Sequence, residues 1–444
     1  MKRLRGATGD SLLKTYLRYM SPSVYALVLY SAYTILNGIL ISRWVNETAM
    51  GAMNIASPFI SVIYAYSLIF GVGGSTVISI CKGKGELDRA NEVFTFNVVF
   101  LLGSVILLSL LGFLFVEPLA RLLGATPENI DYVVRYLRPV TLLAVAHGGS
   151  YALGVLIKTD GYPMLAIAGS TASALGNVLF LFLFTKVLKL DILGAAWAAN
   201  LGQLVIFAIY FGHFFTKRAH LKFVRFRFRW ETLGRIIKIG IPDAISEGSS
   251  GIFVLVFNHL VFHVLGELGI IAFSVVNYMN LLTVQLMLGI TQGMQPLVSF
   301  RYGAMEPESC KKLRRYALSF ALGFALLLFV VCFFFTDTLV TLFIDPTHAA
   351  FPVATHAIKL FAWCLPPLAV CIVLIGYLAA IERQLPSQLL SLGRGLVLIS
   401  IFGFVLSMLF GATGLWLSPL VTECLVLLLA VLYLRRLQKT SPFA

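Results

Sequence analysis

GVGGSTVISICKGKGELDRAN, residues 71–91, recurs in outline as GITQGMQPLVSFRYGA, residues 289–304. Both stretches carry Gly-x5-Ser-x3-Gly, at Gly73/Ser79/Gly83 and at Gly293/Ser299/Gly303, 220 positions apart. The same offset joins Pro22 to Pro242, Gly103 to Gly323 and Gly194 to Gly414. Apolar residues coincide often in an apolar chain. Glycine and proline carry more information, because they mark tight contacts and kinks. The chain therefore reads as two related halves, a construction common among secondary transporters.

The surroundings of both stretches are membrane-like. The 444 residues are 59% hydrophobic and only 12% charged, with mean hydropathy +0.90. Soluble domains do not have this composition. Apolar runs long enough to cross a bilayer as helices recur at about 22–43, 52–80, 93–115, 133–157, 163–185, 192–215, 241–264, 268–298, 316–335, 352–380, 387–410 and 412–434. These are continuous runs rather than short alternating ones, which excludes a β-barrel. The predicted fold is all-α: twelve transmembrane helices in two six-helix repeats. An even number of crossings per half makes the repeats parallel, around a central cavity.

Charge sets the expected orientation. Of 34 Lys and Arg, 26 fall on one side of the predicted membrane and seven on the other, so both termini are expected in the cytoplasm. The predicted organisation is a cytoplasmic segment 1–21, an N-lobe 22–215, a basic connector 216–240, a C-lobe 241–434 and a cytoplasmic tail 435–444. The connector contains KFVRFRFRW, residues 222–230, a basic and aromatic stretch suited to the membrane interface and to anionic lipid headgroups. Within a membrane chain, the net charge of +14 does not call for nucleic acid. Six scattered cysteines show no metal-type spacing and read as packing residues. The first apolar run is a full span, so no cleaved signal peptide is expected.

These features together resemble the multidrug and toxin extrusion family. The two Gly-x5-Ser-x3-Gly stretches look like its signatures after the second and eighth helices. KIGIP (238–242), DILGAAWAANLGQ (191–203) and GATGLWLSPLVTE (411–423) are also similar to it. The resemblance spans about 20–435. It implies a two-lobe antiporter that exports organic cations in exchange for H+ or Na+ across a bacterial inner membrane, working as a monomer. Many bacterial members carry an aspartate in the first helix; this chain has Asn37 there. The family's fifth-helix N-x3-D becomes Asn177 followed by Leu181, and the tenth-helix aspartate of sodium-coupled relatives is missing. The chain thus resembles the branch without the first-helix acid.

Exchange needs a charge within the membrane, and acids there are rarely idle. Glu247 and Asp243 lie one turn apart at the start of the seventh span, on one helix face. They are candidates for holding substrate or coupling ion, or else for pairing with Arg235 and Lys238 near the interface. Arg394 and Glu423 are candidates for a structural ion pair between the eleventh and twelfth spans, or for a pair that rearranges during transport. Asn37, Asn177, Asn277, Asn280 and Gln285 are polar candidates for substrate or ion binding, with helix–helix hydrogen bonding as their bland role. Tyr33 and Met287 are candidates for an adaptable apolar cavity wall. His147, mid-span, is a proton relay or a neutral hydrogen-bonded histidine. His259 and His263 lack a third ligand, and no metal site is expected. No P-loop, nucleophile elbow or metal cluster is present, so neither an enzyme nor a cofactor is expected, and an ion gradient must drive transport. A flippase for a lipid-linked oligosaccharide is the alternative, weakened by a single basic residue within the spans.

Overall fold

The computed structural model describes residues 9–44, 47–125, 127 and 129–443, with the side chains of 9–11, 30, 32–44, 47–51, 54, 246, 249–256 and 267 left aside. Among the described residues there are helices and connecting turns but no strands. Tyr25–Glu247 forms one compact unit; Met1–Val24 with Gly248–Ala444 forms the other.

The first unit contains the later part of α1 (Gly9–Trp44), then α2 (Glu47–Lys84), α3 (Leu87–Leu114), the short α4 (Val116–Leu122), α5 (Ile130–Leu142), α6 (Ala144–Asp160), α7 (Pro163–Phe182) and α8 (Asp191–His213). It also takes the beginning of α9 (Trp230–Gly303). The second unit continues α9 and adds α10 (Pro307–Phe334), the short α11 (Thr336–Thr341), α12 (Phe351–Ala362), α13 (Leu365–Ala380), α14 (Gln384–Leu392) and α15 (Leu398–Gln438). Wider π-type turns follow α7 at Leu183–Val187 and α14 at Gly393–Val397.

The twelve predicted spans map onto these helices. Seven described helices are long and apolar enough to cross a membrane, and two bent pairs, α5–α6 (52°) and α12–α13 (47°), bring the number to nine. The longest stretch, Gln384–Gln438, breaks at Gly411, whose φ of 56° no α-helix contains, and so makes two spans. The other two predicted spans, 22–43 and 241–264, lie on α1 and α9, largely where side chains are not described. Gly266, with φ 62°, separates the latter from the rest of α9.

The repeat is visible in the backbone. Left-handed residues fall at Gly85 and Met305, and at Asp191 and Gly411, each pair 220 apart. The turns match bond for bond: Glu86 N donates to Cys81 O at 2.9 Å, and Glu306 N to Arg301 O at 2.9 Å. Each pair joins a glycine to a different residue, Gly85 to Met305 and Gly411 to Asp191, so geometry outlasts residue type here.

Helix extends beyond the expected spans at two places. Before the first span, α1 already starts at Gly9, with Leu12, Tyr16, Tyr19 and Met20 buried. That helical spacing makes one apolar stripe, which requires a partner surface. The connector was expected to run to 240, but helix resumes at Trp230, where Leu233, Ile236 and Ile239 repeat every three residues and are buried.

These early turns pack in a reciprocal way. The start of α1 lies in the second unit, where a Cβ on Gly289 would come within 2.7 Å of Val24 Cα and one on Gly293 within 2.5 Å of Met20 Cα. The start of α9 lies in the first unit, where a Cβ on Gly240 would overlap the Ile69 carbonyl and one on Gly73 the Ile236 carbonyl. Each unit therefore holds the first turns of the other half's leading helix. The repeated Gly73 and Gly293 are the residues that allow the backbones to close.

Candidate functional site: buried polar groups in two lobes

In the first unit, polar side chains from α2, α6 and α8 meet inside the apolar bundle. Asn200 Nδ2 donates to Ala196 O at 2.7 Å, which turns Oδ1 toward His147 Nε2 at 3.0 Å. Nε2 therefore donates to it, and Nδ1 lies 3.2 Å from the Tyr64 hydroxyl. Both ring nitrogens of His147 are thus engaged. Ser150 Oγ donates to Gln203 Oε1 at 2.9 Å, tying α6 to α8 a turn further on.

Asn177 behaves differently. It is 2% exposed on α7, and neither amide atom has a hydrogen-bond partner among the described residues. Its neighbour Ser173 donates to Gly202 O at 2.7 Å, so the backbone contact with α8 is made without it. A buried amide left unbonded costs about 1–3 kcal/mol, which a packing role does not explain. In the second unit Gln285 Oε1, also buried, has no partner among the described residues. Asn277 and Asn280 are part-exposed on the same helix, and Met287 is fully buried. Asn37 and Tyr33 lie on α1 with side chains outside the described residues.

The membrane acids occupy two environments. Arg394 and Glu423 form a fork in the second unit: Nη2 is 2.8 Å and Nε 2.9 Å from Oε1, with Oε2 at 3.2 Å from Nε. Both side chains are over nine-tenths buried. Arg394 sits on the π-type turn after α14, which widens the helix at that residue. Asp243 is buried and Glu247 part-exposed, one turn apart on α9. His259 and His263 are exposed, and no cluster of metal-ligating residues occurs among the described residues.

The sequence reading missed one buried cluster. Asp160 ends α6, and its carboxylate has no solvent exposure. It accepts from His213 Nε2 at 2.9 Å, from His220 N at 3.0 Å and from Leu221 N at 2.7 Å, with Lys82 Nζ at 3.9 Å. Its signal in the sequence was the acid at a helix C-terminus in TDGYP. The helix dipole disfavours a negative charge there unless donors surround it.

A multi-pass bundle with buried amides, a buried ion pair and a repeated half is the build of a membrane transporter. The MatE family model matches residues 22–183 and 251–406, and the chain belongs to that family of multidrug and toxin extrusion transporters. It is 25% identical over 429 residues to the multidrug export protein MepA of Staphylococcus haemolyticus (strain JCSC1435), covering 95% of this chain and 93% of the relative. It is 24% identical over 432 residues to MepA of Staphylococcus aureus (strain MRSA252), with the same coverage. Among solved structures, an outward-facing multidrug resistance MATE family transporter superposes with TM-score 0.90 at 20% identity, over 99% of this chain and 98% of that one. A MOP superfamily transporter from Pyrococcus furiosus gives TM-score 0.90 at 19% identity, over 98% and 97%. At such identity the structures establish the shared fold.

Proposed function

We propose that the protein is a secondary active antiporter that exports organic cations in exchange for H+ or Na+ by alternating access. We place it in a bacterial inner membrane with both termini cytoplasmic, acting as a monomer. The relatives support drug export, since both are named multidrug export proteins and match nearly end to end. The observation that carries the charge assignment is the fork at Glu423. The predicted spans hold three acids: Asp243, Glu247 and Glu423. Arg394 engages both oxygens of Glu423. We assign the exchange of one cation for another to Glu247, part-exposed on α9 with the buried Asp243 one turn away. A carboxylate there binds either the substrate cation or the coupling ion, and competition between them enforces exchange.

Asn177 and Gln285, each buried and with amide atoms lacking a hydrogen-bond partner among the described residues, serve in this reading as polar contacts for ligand, each within its own unit. The flippase reading is weaker, because apart from Arg43, Arg135, Arg138 and Lys359, which lie toward span ends, Arg394 is the one basic residue within the predicted spans, and it is paired with Glu423. A pyrophosphate-linked substrate requires free positive charge.

The test is gradient-driven ethidium efflux from proteoliposomes, for wild type and Glu247→Gln. Flux under an H+ or Na+ gradient that the substitution abolishes supports the assignment and identifies the ion. Flux unchanged by Glu247→Gln removes Glu247 from the mechanism. No flux of any organic cation under either gradient refutes antiport.

A further inference from the structure

The segment between α8 and α9 is neither helix nor sheet, yet it is closely held. Asp160 takes the backbone N–H groups of His220 and Leu221, as well as the His213 ring. Next, Lys222 N donates to Asn91 Oδ1 at 3.1 Å and Val224 N to Thr95 Oγ1 at 3.0 Å. Asn91 and Thr95 are one turn apart on α3, so that helix offers acceptors in register with the segment. Phe223 packs on Phe94 at 5.1 Å, and Phe226 and Phe228 on Phe96 at 5.9 and 5.5 Å.

With backbone and rings bound inward, the charges are left outward. Lys217, Arg218, Lys222, Arg225, Arg227 and Arg229 are all exposed. Residues 214–229 contain no carboxylate, and none of the six side chains has an ion-pair partner among the described residues. Phe215 (67% exposed) and Trp230 (76%) flank the strip. Its supports are all helix ends: α2 stops at Lys84, α3 starts at Leu87, α6 stops at Asp160 and α8 at His213. In a spanning bundle such a set of ends marks the bilayer edge. Exposed rings beside arginines are the composition of that interface.

We propose that this strip is a preformed docking site for anionic phospholipid headgroups, and that Asp160 is the positioning residue that holds it in place. Arginine forks match phosphate oxygens, and fixing the segment in advance removes the ordering cost of binding. A nucleic acid fits less well, because the flanking rings sit where acyl chains begin.

The full chain in detergent is titrated with phosphatidylglycerol or phosphatidylcholine, and bound lipid is counted by native mass spectrometry. Wild type favours phosphatidylglycerol. Arg225→Gln/Arg227→Gln/Arg229→Gln weakens that preference on the order of a hundredfold, at roughly fivefold per charge. The corresponding triple lysine variant keeps most of it. Asp160→Asn loses preference although every surface charge remains, while phosphatidylcholine binding is unchanged. Should Asp160→Asn fail to fold, the arginine series alone decides. A triple glutamine variant with wild-type preference overturns the proposal, as does tighter binding of a single-stranded oligonucleotide than of phosphatidylglycerol. The measurement involves no flux, so it stands or falls apart from the antiport reading.

Discussion

Removing one partner of the Arg394–Glu423 fork leaves the other as a bare charge inside the second unit. The two side chains are 8% and 7% exposed, so water does little to solvate the survivor. Breaking a buried pair in this way costs about 3–5 kcal/mol. Replacing both by apolar residues of similar volume removes the desolvation cost along with the attraction and is often neutral. Glu423→Leu and Arg394→Met should therefore each destabilise strongly, while the double variant recovers most of the loss. The expected interaction energy is about 2–4 kcal/mol on this reasoning. Thermal unfolding in detergent, followed by tryptophan fluorescence, measures all four proteins. Additive single effects would refute an interdependent pair. Ethidium efflux by the double variant then separates two roles. A stable double variant that still transports makes the pair a fastener between helices; a stable one that does not makes it part of the working cycle.

Other outcomes follow from the packing and the polar groups. Gly73→Ala or Gly293→Ala forces a Cβ against the backbone of Ile236 or Met20 and should cost about 1–3 kcal/mol, read as a lowered melting temperature. Gly103→Ala and Gly323→Ala meet nothing within 4 Å and should leave stability intact, although the sequence repeats all four glycines alike. Asn177→Leu removes a buried amide that makes no hydrogen bond, so stability should hold or rise while ethidium flux falls. A simultaneous loss of stability would show that the amide is structural. Tyr64→Phe should loosen the His147 network by about 1 kcal/mol, without unfolding the bundle.

The spans were legible because twenty apolar residues in a row have few alternatives to a membrane helix. The repeat was legible through its glycines and prolines. What the sequence withheld was partnership. Gly73 and Gly293 announced close contacts, but only coordinates show that their partners are Ile236 and Met20. Asp160 was passed over because its donors, His213, His220 and Leu221, lie more than fifty residues downstream in a stretch that reads simply as basic. His147 could be read either as a relay or as a bonded neutral ring; the orientation of Asn200 fixes its tautomer, which no spacing reveals. The start of α1 was read as a cytoplasmic segment outside the first span because its stripe of Leu12, Tyr16, Tyr19 and Met20 is diluted by charges on the other face.

The reciprocal placement of the leading turns has a consequence for the order of assembly. Tyr25–Glu247 is one uninterrupted stretch of chain, so that unit has all its parts once Glu247 has been synthesised. The other unit is split by it. Tyr16 and Met20 are made before Tyr25–Glu247, yet the surfaces that bury them, around Gly289, Gly293, Tyr316 and Phe320, emerge only after it. Domains tend to close as they leave the ribosome. The amino-terminal turns must therefore wait, their apolar face unsatisfied, until most of the second unit exists. A stretch made ahead of the first unit finds its place only after that unit is complete.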